Sequence, residues 1–271
     1  MKKENIFKSI AVVLGYLVLF AIVQIATALV AHIFVQEPTQ NSNSLIALIS
    51  LILFFVIMLI FYKIRRESLW ARIKWNPVPK KTYGLVAIFV ISNILALNFL
   101  MSFLLPQDWV EGAVEYTATY AGGGFILAFA LVVLAAPFVE EVLFRGLMTA
   151  RMLGRLPTWI VVAVPTLLFG IGHFSGGMGQ VVGTMAIGLV FTLTFIWTKS
   201  LRAAVLAHVL NNLFVFAGDF LQWSALFDSV NESVQLMLGI VFAAITVFSG
   251  YMIYRRWDKN VPSVFIDSKG A

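Results

Sequence analysis

The chain has 271 residues, of which 61% are hydrophobic and only 12% are charged, and it contains 24 Phe. This composition excludes an ordinary soluble domain and predicts a multi-pass membrane protein. The absence of Cys excludes disulfides, thiolate metal ligands and cysteine nucleophiles. The formal net charge of +6 would suit a nucleic-acid-binding protein, but the placement of the basic residues argues against that class.

Eight apolar segments approach the roughly 20 helical residues that are needed to cross a bilayer. In chain order they are 8–35, 45–64, 83–105, 124–148, 158–173, 180–198, 201–218 and 234–254. Several are short or interrupted, so that seven spans remain an alternative. We therefore predict an all-α, polytopic membrane protein with about eight transmembrane helices, forming a single integral membrane domain over residues 1–271. The apolar run of the first segment reaches Val35, which favours a retained anchor over a cleaved signal peptide.

The basic residues fix the expected orientation of the chain. With eight spans, all 19 Lys and Arg lie in segments on one side of the membrane, and the opposite loops carry only acidic charges. The positive-inside rule then places both termini in the cytoplasm. A seven-span arrangement would break this partition. In the largest basic loop, residues 62–82, Trp70 and Trp75 predict a short interfacial helix on anionic headgroups.

Two adjacent carboxylates, Glu140 and Glu141, stand in the apolar segment that begins near residue 125. Ionisable groups at membrane depth are costly and usually functional. Because residues four apart share a helical face, Glu141 is predicted to pair with Arg145. Glu140 is turned about 140° away and has no partner on its own helix. Its low-dielectric surroundings favour the protonated form, which suits a general acid–base.

A second polar face lies on the segment 201–218. His208 and Asn212 are four residues apart, so their side chains can converge as the two donors of an oxyanion site. Asn211 is near the same face, and spacing alone does not exclude it. The pattern thus indicates a place where a developing negative charge could be stabilised.

The remaining candidate is His173, at the end of the segment 158–173. Gly170 and Gly172 precede it and would allow another helix or a substrate backbone to approach closely. An imidazole here and the Glu140 carboxylate, on separate helices, could together activate a water molecule. His173 lies 16 residues after Pro157, or ~24 Å of straight helix, so this span must tilt, enter late or end inside the bilayer to bring it to Glu140.

Three motifs occur in order on these segments: Glu140-Glu141-x-x-x-Arg145, Phe169-x-x-x-His173 and His208-x-x-x-Asn212. Together they resemble the CPBP family of CAAX proteases and bacteriocin-processing membrane proteins, also called Abi, over residues 125–220. The resemblance implies an eight-helix intramembrane endopeptidase whose catalytic core helices lie in 125–220. It implies that Glu140 and His173 activate water and that His208 and Asn212 form the oxyanion hole. Glu141, Arg145 and Phe169 would be supporting residues.

The same resemblance sets the expected ligands. We expect no metal or other cofactor, but Glu140, His173 and His208 also match a catalytic zinc set, which stays open. The expected partners are membrane lipids and a hydrophobic or membrane-anchored peptide substrate, and no nucleic acid. The expected location is a bacterial cytoplasmic membrane, with a role in peptide processing or bacteriocin immunity. The alternatives are a non-proteolytic immunity or scaffold protein and a proton-coupled transporter, although the chain lacks the repeated halves typical of transporters.

Overall fold

The computed structural model describes residues 6–35, 37, 39–110, 124–221, 223, 227 and 229–256. All regular structure in these ranges is helical, as predicted. The predicted cytoplasmic termini, residues 1–5 and 257–271, lie outside the described residues. The helices are α1 (Ile6–Phe34), α2 (Gln40–Ile64), α3 (Leu69–Arg72), α4 (Lys80–Leu104), α5 (Phe125–Met152), α6 (Thr158–Ile171), α7 (Gly177–Thr198), α8 (Leu201–Leu221) and α9 (Glu232–Arg255).

Seven of these helices are long and apolar enough to cross a membrane, namely α1, α2, α4, α5, α7, α8 and α9. The fifth predicted span differs, because α6 has only 14 residues, or ~21 Å of helix. A short 3₁₀ turn, Phe174–Gly176, follows it and leads into α7. The chain is therefore an all-α, multi-pass membrane protein in which α6 is shorter than the bilayer core.

Glycines set the closest helix contacts. A Cβ on Gly170 of α6 would lie 2.8 Å from the carbonyl oxygen of Val181 in α7, which confirms the close approach predicted there. At Gly172 an added Cβ would meet only carbonyls of its own helix, so no other helix approaches closely there, and the approach of a substrate backbone stays a prediction. Gly250 of α9 likewise packs against the ring of Phe89 in α4, 2.9 Å from an added Cβ. Small residues thus let helix backbones approach closely where no apolar driving force acts.

Helix α5, which carries the glutamates, is irregular. Its segments Phe129–Ala135 and Val142–Thr149 are π-helical, with hydrogen bonds to the fifth preceding residue, and α-helix joins them over Ala136–Glu141. Single π turns are rare and concentrate at functional sites. Pro137 stands at the first of these junctions. The two glutamates therefore lie between two stretches of wider helix.

The basic loop between α2 and α4 contains a short helix, as predicted, and part of the loop packs into the protein; the contact of this helix with headgroups stays a prediction. Helix α3 has only four residues, and the Ile73 side chain after it is fully buried against Gly146 of α5, 2.8 Å from an added Cβ. The backbone N–H of Leu201 donates to the carbonyl of Lys74, at 2.9 Å. Burial, and then the charge of Arg72, lower the pKa of Lys74. This loop fixes the adjoining ends of α5 and α8 relative to each other.

Candidate active site

The carboxylate of Glu141 and the guanidinium of Arg145 form the predicted ion pair. Arg145 Nη1 lies 2.7 Å from Glu141 Oε1, and both side chains are fully buried. The other terminal nitrogen, Nη2, donates to the carbonyl of Gly188 at 2.8 Å and lies 3.4 Å from Thr192 Oγ1. The guanidinium is therefore held from α7 as well as from its own helix. The prediction of this pair is confirmed, but its partners on α7 have no signature in the sequence.

Aromatic rings enclose the guanidinium. Arg145 Cζ lies 4.7 Å from the ring centre of Phe169 and 5.4 Å from that of Phe191. A Cβ on Gly188 would lie 2.8 Å from Phe169 Cδ1, so only glycine leaves space for this ring above its carbonyl. Cation–π contacts gain strength when water is excluded, as it is around this buried group. Phe169, predicted as a supporting residue, supplies the aromatic ring that lies nearest to the guanidinium.

The imidazole of His208 lies between the two glutamates. Its Nδ1 is 3.0 Å from Glu141 Oε1, and its Nε2 is 3.9 Å from Glu140 Oε2. The sequence placed Glu141 with Arg145 alone and gave Glu140 no partner on its own helix. Nothing in the spacing could show the contact, since 67 residues separate His208 from Glu141. Glu141 Oε1 thus accepts from both a guanidinium and an imidazole.

Two phenylalanine rings fix the plane of the His208 imidazole. Phe191 stacks on it with ring centres 4.5 Å apart and an angle of 26° between the planes. Phe169 meets it edge-on at 5.6 Å. With Nδ1 bonded to Glu141 and two aromatic rings in contact with the imidazole, its orientation is fixed. Its Nε2 then points to the side where Glu140 lies.

His173 joins the cluster through Phe169. Its Nδ1 lies 2.8 Å from the Phe169 carbonyl oxygen, and the two rings lie 4.9 Å apart. Because a carbonyl only accepts hydrogen bonds, Nδ1 carries the proton in this contact. Nε2 of the neutral ring is consequently an acceptor, as a group that takes or orients a water proton must be.

The short α6 resolves the depth of His173. Helix α5 continues 12 residues past Glu140, roughly 18 Å, before the chain turns at residues 153–157. Helix α6 then returns for ~21 Å and ends two residues before His173. The outward and return paths nearly match. His173 therefore returns close to the level of Glu140, and the Phe169 ring contacts both His173 and His208.

Asn212 makes a contact that the sequence did not indicate. Its Nδ2 donates to the backbone carbonyl of Val132 in α5 at 2.8 Å, and its Oδ1 accepts from Asn211 Nδ2 at 2.9 Å. The second N–H of the Asn212 amide remains as a donor. Spacing left open whether Asn211 or Asn212 faces the site. In the structure Asn211 contacts Asn212, and Asn212 contacts the helix of the glutamates.

The two adjacent glutamates have different environments. The Glu141 side chain is fully buried, whereas 20% of the Glu140 side chain is exposed. Glu140 is thus the carboxylate that a small molecule or peptide can reach. The structure brings an accessible carboxylate, an oriented imidazole and a second imidazole with an acceptor nitrogen into one cluster. Such a set can move protons to and from a reacting water and a leaving group.

The alternative zinc set is not assembled here. Among the described residues, no group of three or more His, Asp or Glu side chains is placed to hold a metal ion. Nδ1 of His208 is bonded to Glu141, and its Nε2 is 3.9 Å from Glu140 Oε2. His173 is linked to this pair by contacts of the Phe169 ring rather than by a shared polar point. The residues present do not fit a three-ligand zinc site in this arrangement.

The all-α membrane fold and this buried cluster together indicate an acid–base site that is embedded in the membrane. Comparisons with known proteins show which proteases the chain is similar to. A family model described as Rce1-like, type II CAAX prenyl endopeptidase, matches residues 122–214. The chain is 26% identical over 215 residues to the membrane-embedded CAAX protease MroQ of Staphylococcus aureus (strain USA300), covering 74% of this chain and 85% of MroQ. No solved structure matches. Residues 122–214 are thus similar to the Rce1-like CAAX prenyl endopeptidases, the CPBP or Abi family, and the chain is a protease of this CAAX type.

Proposed function

We propose that the chain is an intramembrane endopeptidase in which Glu140 is the general base for peptide-bond hydrolysis. The observation that carries this role is the contrast between the two glutamates: Glu141 is enclosed by Arg145 and His208, whereas Glu140 is accessible. Residues 125–220 form the catalytic core of one membrane domain. The substrate is a membrane-associated or hydrophobic peptide, bound from the surrounding lipid.

The proposed reaction begins with water between Glu140 and His173. Glu140 takes a proton from the water while the oxygen attacks the scissile carbonyl carbon, and His173 Nε2 accepts the second hydrogen and orients the molecule. The carbonyl oxygen becomes an oxyanion. The proton held by Glu140 then passes to the amide nitrogen as the C–N bond breaks. The products are a carboxylic acid, which keeps the second hydrogen of the water, and an amine, and no cofactor is needed to balance the step.

The oxyanion is assigned to His208 and Asn212. Glu140, Glu141 and Arg145 together carry one net negative charge when both carboxylates are ionised, and a protonated His208 would make the cluster neutral. In that form Nδ1 donates to Glu141 and Nε2 donates to the oxyanion. Asn212 supplies its second N–H. Donors that are already held in place stabilise the developing charge without reorganisation, and one such donor contributes about 10²–10³ in kcat.

The site lies near the cytoplasmic face in this proposal. Glu140 precedes Gly146 by six residues and His208 follows Leu201 by seven, so both lie roughly 9–10 Å above the level of the packed basic loop. We propose that the short α6 also enters the membrane as the eighth crossing, so that both termini are cytoplasmic in a bacterial cytoplasmic membrane. The chain has no Cys, so single cysteines at Lys74, Arg155 and Arg256 can report sidedness. Labelling of all three from the same face is expected, and opposite faces would contradict this topology.

The base assignment is tested by Glu140→Gln and Glu141→Gln in reconstituted vesicles. The probes are a prenylated CAAX peptide and a hydrophobic leader peptide. We expect Glu140→Gln to lower kcat by at least about 10³-fold with an unchanged melting temperature, because it removes the proton acceptor and no buried pair. Glu141→Gln is expected to lower the melting temperature as well, since Arg145 then stays buried without its counter-charge.

Full cleavage by Glu140→Gln would overturn the assignment. Equal cleavage of both peptides would show that the prenyl group is not required. The proposed link to bacterial peptide processing or bacteriocin immunity depends on this result. A chelator arm complements the variants. Undiminished activity after exhaustive chelation is expected, and loss that only a divalent metal restores would favour the zinc alternative.

A further inference from the structure

The first π-helical stretch of α5 leaves one carbonyl without its backbone donor. In this stretch each N–H donates to the fifth preceding residue, and Ala136 N–H donates to the carbonyl of Leu131. The next step of the same register pairs residue 137 with the carbonyl of Val132. Residue 137 is proline and has no N–H. Pro137 therefore leaves the Val132 carbonyl without a backbone donor.

The donor that occupies this carbonyl is the side chain of Asn212. The Nδ2···O distance is 2.8 Å, across 80 residues of sequence. An unpaired backbone carbonyl inside a membrane protein is costly, because no water replaces the missing donor. The Val132 carbonyl and the Asn212 amide therefore satisfy each other, and the bond joins α5 to α8 one helical turn from His208.

We infer that Pro137 is a positioning residue for Asn212. By lacking an N–H, Pro137 keeps the Val132 carbonyl available, and that carbonyl holds the Asn212 amide by one of its two hydrogens. Because a carbonyl only accepts, the contact forces the NH₂ end of the amide toward α5. Asn211 holds the oxygen end. The second N–H then has a fixed direction. This inference rests on the proposed function, in which that N–H donates to the oxyanion.

The physical test is a double-mutant cycle on stability, and it needs no substrate. Asn212→Ala leaves the Val132 carbonyl without a donor and is expected to lower the melting temperature. Pro137→Ala restores a backbone N–H at the position from which the carbonyl can be reached. Pro137→Ala should therefore raise the melting temperature by roughly 2–4 °C more in the Asn212→Ala background than in the wild type.

Pro165→Ala is the matched control, because Pro165 also lies inside an apolar helix, α6, away from this contact. Its effect on the melting temperature should be the same in the wild-type and Asn212→Ala backgrounds. If Pro137→Ala also had the same effect in both backgrounds, the inference would be overturned. The difference between the two prolines separates the specific contact from the general cost of proline in a helix.

The catalytic consequence is tested on the full-length chain in vesicles with the prenylated CAAX peptide. Pro137→Ala gives the amide a competitor for its acceptor and should lower kcat about tenfold with KM within about twofold, since positioning acts on the transition state. In the Asn212→Ala background it should cause no further loss. If Asn212→Ala itself kept full kcat, the proposed oxyanion role would fail. If Asn212→Ala were inactive while the effects of Pro137→Ala were additive, only the inference about Pro137 would fail.

Discussion

Helices α1 and α2 differ from the motif-bearing helices α5 to α8 in which side chains they expose and which they bury. On α1, large apolar side chains such as Leu29 (64% exposed) and Phe34 (79% exposed) face outward, where lipid would meet them. On α5, every residue from Glu141 to Ala150 is buried. A lipid-facing helix needs only apolar side chains, whereas a helix that carries charges must satisfy each of them inside the protein.

The polar contacts follow the same division. Between α1 and α2 they are uncharged: Tyr16 bonds to Tyr62 at 2.7 Å, and Ser50 bonds to Gln24. Around α5 they involve ionisable groups, which are held by several partners from two other helices. The comparison teaches that residue identity matters most in the helices that carry the site. Matched substitutions in the two regions should therefore change stability or kcat by amounts that differ in sign or size.

The largest expected difference is between two arginines. Arg145→Ala leaves Glu141 buried with only the imidazole as a polar partner, and breaking a buried pair typically costs about 3–5 kcal/mol of unfolding free energy. Arg65→Ala breaks an exposed pair with Glu67, which is worth about 0–1 kcal/mol. Unfolding in mixed micelles measures both. Similar losses for the two variants would contradict the division between the regions.

The sequence predicted the parts of the site that depend on one helix. The Glu141–Arg145 pair follows from a four-residue spacing, and the isolation of Glu140 on α5 follows from helical phase. Contacts between different helices could not be predicted from the sequence. Periodicity says which face a residue occupies, but not which helix packs on that face, so the contact of His208 with Glu141 and the bond of Asn212 to Val132 could not be found.

The fold shows the same limit. Hydropathy located the apolar segments, because a run of about 20 apolar residues indicates a transmembrane helix. The length of α6 was less certain, since its apolar run continues past the point where the helix ends at Ile171. The burial of the basic loop was missed because it depends on contacts made by individual residues, such as that between Ile73 and Gly146. A loop sequence carries no periodic signal for such a contact.

An intermediate effect, with opposite signs, is expected for two glycines. Gly188→Ala would bring a methyl group to 2.8 Å from the Phe169 ring that covers Arg145, and overpacking of this kind costs about 1–3 kcal/mol. Gly84→Ala in α4 meets nothing within 4 Å and should stabilise the chain by up to about 1 kcal/mol through helix propensity. Thermal unfolding decides the signs. Destabilisation by Gly84→Ala, or none by Gly188→Ala, would show that packing is not tighter around the site.

The smallest effect is expected for two matched pairs of phenylalanines. Phe55 and Phe138 meet edge-on with ring centres 5.0 Å apart, and Phe20 and Phe54 do so at 5.1 Å. Double-mutant cycles to leucine should give each pair a coupling of about 0.5–1.5 kcal/mol. Only the first pair includes a residue of the helix of the glutamates, namely Phe138, two residues before Glu140.

The two pairs should therefore differ in activity although they agree in stability. Phe138→Leu is expected to lower kcat a few-fold, because the ring supports the backbone that carries Glu140, and a displacement there reaches the reacting water. Phe54→Leu should leave kcat unchanged at a temperature where the protein is folded. Equal losses of kcat in the two pairs would mean that the packing of α1 against α2 also positions the site, although the Phe20–Phe54 contact includes no residue of α5.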